Sequence, residues 1–291
     1  MTSVLAGVLP AQRLLSPDEA SVLLGTPVPL ADESRLLPPA RVGEPLVVTD
    51  AETGAPVLIV TKMSRDTTSM LRGAVRRASM GTVARMSSKM PGDGRTFGYA
   101  PRNPIKQKEA CGATTLERDH PEVAGVLAKL AGLLGREFGE LLPSRAAADR
   151  QVVGQVLPDW LLDEDGLWTS GVINRTATLP YHRDGANFHT WSAMPSVRMG
   201  VDGGRLHIPE YGVTCRVDDA DVTWFAGRDL VHGVTPMRLR RSDGYRYTVV
   251  YYALAGMVDC RTWAEETAGA AALRTVRERK MAADLLARPA P

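Results

Sequence analysis

Two histidines and a carboxylate can hold a ferrous ion, and this chain carries them at a spacing that a β-scaffold can close. His182, Arg183 and Asp184 form an H-x-D triplet, His232 stands fifty residues after His182, and Arg246 lies fourteen residues beyond His232. Alternate residues of a strand face the same side, so His182 and Asp184 can point into one barrel mouth. Two imidazoles and one carboxylate occupy one face of an octahedral Fe(II) ion and leave three positions for a co-substrate and dioxygen. Arg246 interrupts an apolar β-rich run, residues 245–252. A charge buried there is costly unless an anion meets it. The guanidinium fork suits a carboxylate, which it grips with two parallel hydrogen bonds. Together these residues predict an Fe(II)- and 2-oxoglutarate-dependent oxygenase. Zinc can use the same three ligands, but zinc hydrolases need no dicarboxylate clamp, so Arg246 tips the choice to iron. The alternative for Arg246 is an acidic partner on a neighbouring strand. His189 and His207 rank lower as ligands, because His189 reads as loop and His207 has no nearby H-x-D.

The elements that must position these residues are legible as short runs. Residues 169–173, 197–201, 205–208, 213–217, 222–225 and 245–254 are β-rich and punctuated by Gly, Pro and Asp. Such spacing predicts an antiparallel barrel or jelly roll. Ahead of it, residues 121–142 place Val123, Val126, Leu127, Leu130, Leu133, Leu134, Phe138 and Leu141 on one helical stripe, a brace for a sheet. Ser16-Pro17-Asp18-Glu19 reads as a capped helix start, residues 27–45 as a proline-rich connector, and residues 46–49 and 56–61 as a hairpin around Gly54. Residues 67–79 predict a helix bearing Arg72, Arg76 and Arg77, residues 81–108 predict loops forming a candidate substrate-binding surface, and residues 262–287 predict a last helix.

The 291 residues can bury a large core, and a hydrophobic content of 44% with 23% charged residues is ordinary for a globular protein. No apolar run reaches the roughly 20 residues that span a bilayer, and the first residues carry no basic region of a signal peptide. Cys111, Cys215 and Cys260 are odd in number and lack metal-type spacing, which predicts reduced thiols and a cytoplasmic location. The net charge of +2 is uneven. Residues 62–108 hold eleven basic and two acidic residues, a net +9, leaving −7 elsewhere. Such segregation is a footprint for a polyanion such as DNA, or else a solvated basic face.

At this point the sequence resembles the 2-oxoglutarate/Fe(II) dioxygenases, in particular the TET/JBP branch in its compact bacterial and phage forms. The likeness runs over residues 161–257, through WTSGVINRTATLPYHRDGANF, GGRLHIPEYGV, HGVTPM and GYRYTVVYY, with FGYAPRNPI at 97–105 also similar. It implies an α+β fold with a double-stranded β-helix (jelly-roll or cupin-like) core and bracing helices. Residues 1–150 then form an N-terminal extension, 151–257 the catalytic core and 258–291 a C-terminal helix, as one integrated domain. The resemblance implies that His182, Asp184 and His232 bind Fe(II), and that Arg246 and Thr248 bind 2-oxoglutarate. It also implies that Asn187 reads the target base and that Tyr252 stacks on it. Leu254 departs from the pattern, because animal TET proteins place a base-contacting His there. The choice between 5-methylcytosine and thymine stays open on that account.

The implied reaction oxidises the 5-methyl group of a pyrimidine in DNA with O2 and 2-oxoglutarate, giving 5-hydroxymethylcytosine from 5-methylcytosine. The residue types suit it. An Asn offers donor and acceptor to a base edge, and stacking on a Tyr face contributes about 1–3 kcal/mol per base. Arg76 and Arg77, within the basic segment, are expected to hold phosphates on single-stranded DNA or on a duplex with a flipped base. Two alternatives stand beside this reading: a hydroxylase of a free amino acid or natural product, and a non-catalytic barrel that binds nucleic acid. The intact ligand set speaks against the second.

Overall fold

The apolar run at residues 245–252 lies at the centre of the larger of two facing sheets, and the rest of the architecture follows from how that strand divides its side chains. The computed structural model describes residues 7–78, 80–84, 91–103, 109–164, 166–176 and 178–286. In chain order the strands are β1 (Gly7–Ala11), β2 (Leu46–Asp50), β3 (Pro56–Lys62), β4 (Gly81–Ala84), β5 (Pro91–Ala100), β6 (Gly112–Ala113), β7 (Ser170–Arg175) and β8 (Leu179–His182). They continue with β9 (Ser192–Met199), β10 (Val201–Gly203), β11 (Leu206–Ile208), β12 (Val213–Cys215), β13 (Asp221–Phe225), β14 (His232–Val234), β15 (Met237–Leu239) and β16 (Tyr245–Tyr252). The α-helices are α1 (Pro17–Ser21), α2 (Arg65–Arg77), α3 (Thr115–Asp119), α4 (Pro121–Leu141), α5 (Pro143–Val153) and α6 (Trp263–Leu286).

Strands β7-β16-β9-β13 form the middle of the large sheet, and β12-β11-β14-β8 form the small one. The chain passes from one sheet to the other along this core: β7 large, β8 small, β9 large, β11 and β12 small, β13 large, β14 small, β16 large. That alternation is the double-stranded β-helix. Strands β3, β2 and β1 extend the large sheet beyond β13, and β5 and β4 extend it beyond β7. The expected hairpin is present as β2 and β3, with a register shift at Val48/Thr49.

Period-two alternation separates two cores. On β16, Tyr245, Tyr247, Val249 and Tyr251 pack with Leu71, Ala74 and Val75 of α2 and Leu127, Leu130, Leu134 and Phe138 of α4. The stripe read on residues 121–142 thus braces the outer face of the large sheet, and Tyr251 Oη donates to the Leu127 carbonyl at 3.0 Å. Between the sheets lie Leu58, Val60, Met194, Leu206, Ile208, Val213 and Phe225. Arg246 and Thr248 sit at the alternate positions of β16, on the barrel side. Capping fixes two helix starts: Ser16 and Glu19 form the anticipated capping box on α1, and the Ser64 side chain accepts from Thr67 N at α2.

Two expectations are corrected and one helix is new. Residues 81–108 are not all loop, since β4 and β5 pair there and β5 pairs with β7. Gly98, one of the glycines that suggested loop, has a packing reason: its φ is +75°, and a Cβ there would stand 2.6 Å from the Thr169 carbonyl oxygen, so bare backbone is what lets β5 lie against β7. Residues 143–153 form α5, for which no helical stripe is visible. The cysteines are not all reduced, because Cys111 and Cys260 form a disulfide with Cα atoms 5.8 Å apart. A separation of 149 residues gives no sequence signal for that pairing, and the thiol argument for a cytoplasmic location falls with it. Cys215 is free and buried, with its thiol pushed up to about 11 by burial. No described helix is long and apolar enough to cross a membrane.

Candidate metal centre

Strands β8 and β14 pair antiparallel with His182 opposite His232, which brings the two ring centroids to 4.3 Å. His182 Nδ1 bonds the Pro180 carbonyl at 2.9 Å and His232 Nδ1 bonds the Leu230 carbonyl at 3.0 Å. A carbonyl can only accept, so each Nδ1 carries the hydrogen and each Nε2 presents a lone pair. Both Nε2 atoms face the Asp184 carboxylate: His182 lies 3.8 Å from Oδ1 and His232 lies 3.9 Å from Oδ2. One ligand atom from each residue falls within 4.8 Å of the others. Burial, reinforced by the neighbouring His182, lowers His232 to about 4 against the opposing pull of Asp184. His232 is therefore neutral at pH 7, the form that binds a metal.

Asp184 is not on the strand, as alternation suggested, but in the turn that follows it. Its N–H donates to the Gly227 carbonyl at 2.9 Å, and its own carbonyl accepts from Asn187 N at 2.9 Å. Gly227 was not anticipated. A Cβ there would stand 2.5 Å from Asp184 Oδ2, so only glycine leaves the carboxylate its place. The available signal is a Gly-Arg pair one residue past the apolar run 222–225.

Arg246 is 1% exposed, and its Nε and Nη2 have no hydrogen-bond partner. Among the described residues no carboxylate pairs with it, so the acidic partner that was the alternative is missing. Its cross-strand neighbour is Arg198. Burial, with the charges of Arg198 and Arg205 acting in the same direction, pushes its pKa down to about 9. Arg198 spends its guanidinium on the carbonyls of Val217, Val201 and Gly203. Gly204 lets the arginine pass, because a Cβ there would meet Arg246 Cδ at 3.0 Å. Thr248, buried, shares the Arg246 face two residues on. An unpaired buried cation of this kind is strongly unfavourable until an anion arrives, so the pocket fits a carboxylate. The ligand set fits a divalent ion: two imidazoles and one carboxylate suit ferrous iron.

The structure brings Asn187 and the end of β16 to the same rim. Asn187 bridges Leu254, and Phe188 N donates to the Ala253 carbonyl at 2.9 Å. Asn187 is buried, with Nδ2 unpartnered. Its carbonyl accepts from Arg228 Nη1, a second residue not anticipated from sequence. Tyr252, half-buried, is the last residue of β16 on the Arg246 face. Arg76 and Arg77 are exposed on α2, across the large sheet from the histidines and Asp184, and Arg76 lies over the Tyr245 ring. Much of the basic segment is neutralised within the fold: Lys62 pairs with Asp221, Arg72 with Asp219, Arg95 with Asp119 and Arg102 with Glu266. Arg85, Lys89, Lys106 and Lys108 lie outside the described residues. His189 is exposed and pairs with Asp229, while His207 bonds Tyr181 Oη at 2.6 Å, so neither joins the cluster.

No protein-family model matches the sequence, and no curated protein matches it. Among solved structures the fold is similar to that of NgTET1 in complex with 5mC DNA, with a TM-score of 0.55 at 14% identity, over 75% of this chain and 80% of that one. It is also similar to an oxidoreductase of the 2OG-Fe(II) oxygenase family from Burkholderia pseudomallei, with a TM-score of 0.48 at 15% identity, over 68% and 88% of the two chains. The likeness to NgTET1 establishes the fold: a double-stranded β-helix braced by helices, of mixed α and β content.

Proposed function

We propose that this protein is an Fe(II)- and 2-oxoglutarate-dependent dioxygenase that hydroxylates the 5-methyl group of a pyrimidine base in DNA, converting 5-methylcytosine to 5-hydroxymethylcytosine. The observation that carries the oxygenase reading is Arg246, a buried guanidinium on the barrel side of the large sheet with no carboxylate partner among the described residues. His182, Asp184 and His232 would hold the iron through Nε2, a carboxylate oxygen and Nε2. Bound there, iron supplies the activation of O2 that couples 2-oxoglutarate decarboxylation, to succinate and CO2, with insertion of one oxygen atom into a C–H bond. Arg246 would pair with the far carboxylate of 2-oxoglutarate, helped by the Thr248 hydroxyl. The desolvated pocket strengthens that pairing. The carbonyls of Pro180 and Leu230 hold the imidazoles in one tautomer and orientation.

The nucleobase reading rests on the rim. Asn187 offers a buried, unpartnered amide donor one turn from Asp184, and a base edge has acceptors to satisfy it. Tyr252, the last residue of β16, would supply the ring that stacks on that base. NgTET1, of similar fold, binds 5mC DNA in its solved complex. A base within a stacked duplex cannot reach such a rim, so it must be extruded or already single-stranded.

A second reading, hydroxylation of a free small molecule, draws support from the ion pairs that neutralise the basic segment. One experiment separates the two. Methylated and unmethylated DNA are incubated with the protein, Fe(II) and 2-oxoglutarate, and released nucleosides and succinate are measured by mass spectrometry. Oxidised 5-methylcytosine is expected only from methylated DNA, with succinate in proportion. Succinate without any oxidised nucleoside would reject DNA as substrate, and succinate from the His182→Ala variant would reject the ligand assignment.

A further inference from the structure

Resting on the metal-centre reading, we propose that Glu210 and Arg183 are a positioning pair that references both arms of the metal centre to one buried carboxylate. Glu210 lies in the single 3-10 turn Pro209–Tyr211 between β11 and β12 and is 1% exposed. Its Oε1 accepts from Val231 N at 2.7 Å, and Val231 directly precedes the ligand His232. The same Oε1 lies 3.6 Å from Nη2 of Arg183, the residue between the ligands His182 and Asp184. One carboxylate therefore touches the backbone next to one ligand and the side chain between the other two.

Two orphaned atoms sharpen the point. Glu210 Oε2 and Arg183 Nε are both buried without a partner. They are complementary, an acceptor on one residue and a donor on the other. A closure of about 1 Å would bring Nη2 and Oε1 to an ordinary charge-assisted distance. Arg183 is meanwhile anchored from outside: Nη1 donates to Ser21 Oγ at 2.8 Å and Nη2 to the Pro17 carbonyl at 2.9 Å, both on α1. The Glu210 carbonyl accepts from Leu14 N at 2.7 Å, and Thr26 O accepts from Tyr181 N at 3.0 Å. The N-terminal segment is thus part of the frame that holds the ligand-bearing edge of β8.

The test is a Co(II) titration of the metal-free, full-length protein, read as affinity and as the visible ligand-field spectrum, with no turnover required. Glu210→Ala and Arg183→Ala are expected to weaken Co(II) binding about tenfold or more, the size of effect seen when a metal ligand loses its outer support, and to change the spectrum. Glu210→Gln keeps an oxygen for Val231 N–H and is expected to recover most of the affinity. Asp149→Ala is the comparison. Asp149 is an equally buried carboxylate that accepts from Trp191 N at 2.8 Å and pairs with Arg145, away from the ligands. Its loss is expected to lower the melting temperature and leave Co(II) binding unchanged. Arg183, a quarter exposed, carries the measurement should Glu210→Ala not fold. Wild-type affinity and spectrum in folded Glu210→Ala or Arg183→Ala would overturn the pairing while leaving the metal centre standing, as would equal weakening by Asp149→Ala. Failure of the wild-type protein to take up Co(II) would overturn the metal centre and the pair with it.

Discussion

Replacing Gly227 with Ala tests the metal centre at the atom level. The new methyl would stand 2.5 Å from Asp184 Oδ2, against about 3.4 Å for ordinary contact, so the oxygen must retreat by about 0.9 Å. The backbone of Gly227 cannot move away freely, because its carbonyl holds Asp184 N at 2.9 Å. The carboxylate is the end of a side chain and can swing aside, so the cost to the fold is small, about 1 kcal/mol. A metal bond is less forgiving and keeps its length within about 0.2 Å. Expelling one ligand oxygen by several times that margin is expected to weaken Mn(II) or Fe(II) binding about 10- to 100-fold, or about 1.4–2.7 kcal/mol. Metal titration of the apoprotein, run beside thermal unfolding, gives both quantities. A folded Gly227→Ala protein that binds metal as tightly as wild type would mean that the oxygen facing Gly227 ligates nothing, and would refute this geometry of the Asp184 ligand.

Four further outcomes are expected. Arg246, lowered to about 9 by burial and the neighbouring arginines, begins to lose its proton above that pH, whereas a bound carboxylate would retain it. Affinity for 2-oxoglutarate should then fall by up to tenfold per unit above pH 9; a flat binding curve to pH 10.5 would contradict the pairing. The unfolded chain keeps that proton through the same window, so this group alone makes the ligand-free fold gain stability with rising pH there. Asn187→Ala should reduce oxidation of methylated DNA about tenfold or more and leave uncoupled succinate formation within a few-fold; equal loss of both activities would deny it a base-reading role. Replacing both Arg76 and Arg77 with Ala should flatten the salt dependence of DNA affinity by about 2 in log–log slope, with uncoupled turnover intact, and an unchanged slope would remove α2 from the interface. Thiol counting on the denatured, unreduced protein should find only Cys215, and reducing the Cys111–Cys260 bond should cost up to about 5 kcal/mol of stability on the chain-entropy argument; three reactive thiols would refute the pairing.

The cluster of His182, Asp184 and His232 was readable because few residue types can bind iron, and Arg246 because an apolar strand makes a lone Arg conspicuous. Strand positions followed from punctuation to within a few residues, and the α4 stripe followed from its period. The failures share a cause. Strand β5 is held by backbone pairing at the flank of the core, so its side chains need show no apolar alternation, and its glycines imitate loop. Gly227 and Glu210 act through proximity to residues distant in sequence, and the Cys111–Cys260 bond joins segments that only the finished fold makes neighbours. Asp184 was assigned the right company on the wrong grounds, since a turn rather than strand alternation aims it.

The two sheets divide the pocket between them. Both histidines come from the small sheet, while Arg246 and Thr248 come from the large one. A dicarboxylate held by iron at one end and by Arg246 at the other would therefore act as a removable rivet through the barrel wall. Under the proposed chemistry each turnover would draw that rivet and each new co-substrate would drive it home, so the rigidity of the sandwich would track the metabolite supply of the cell.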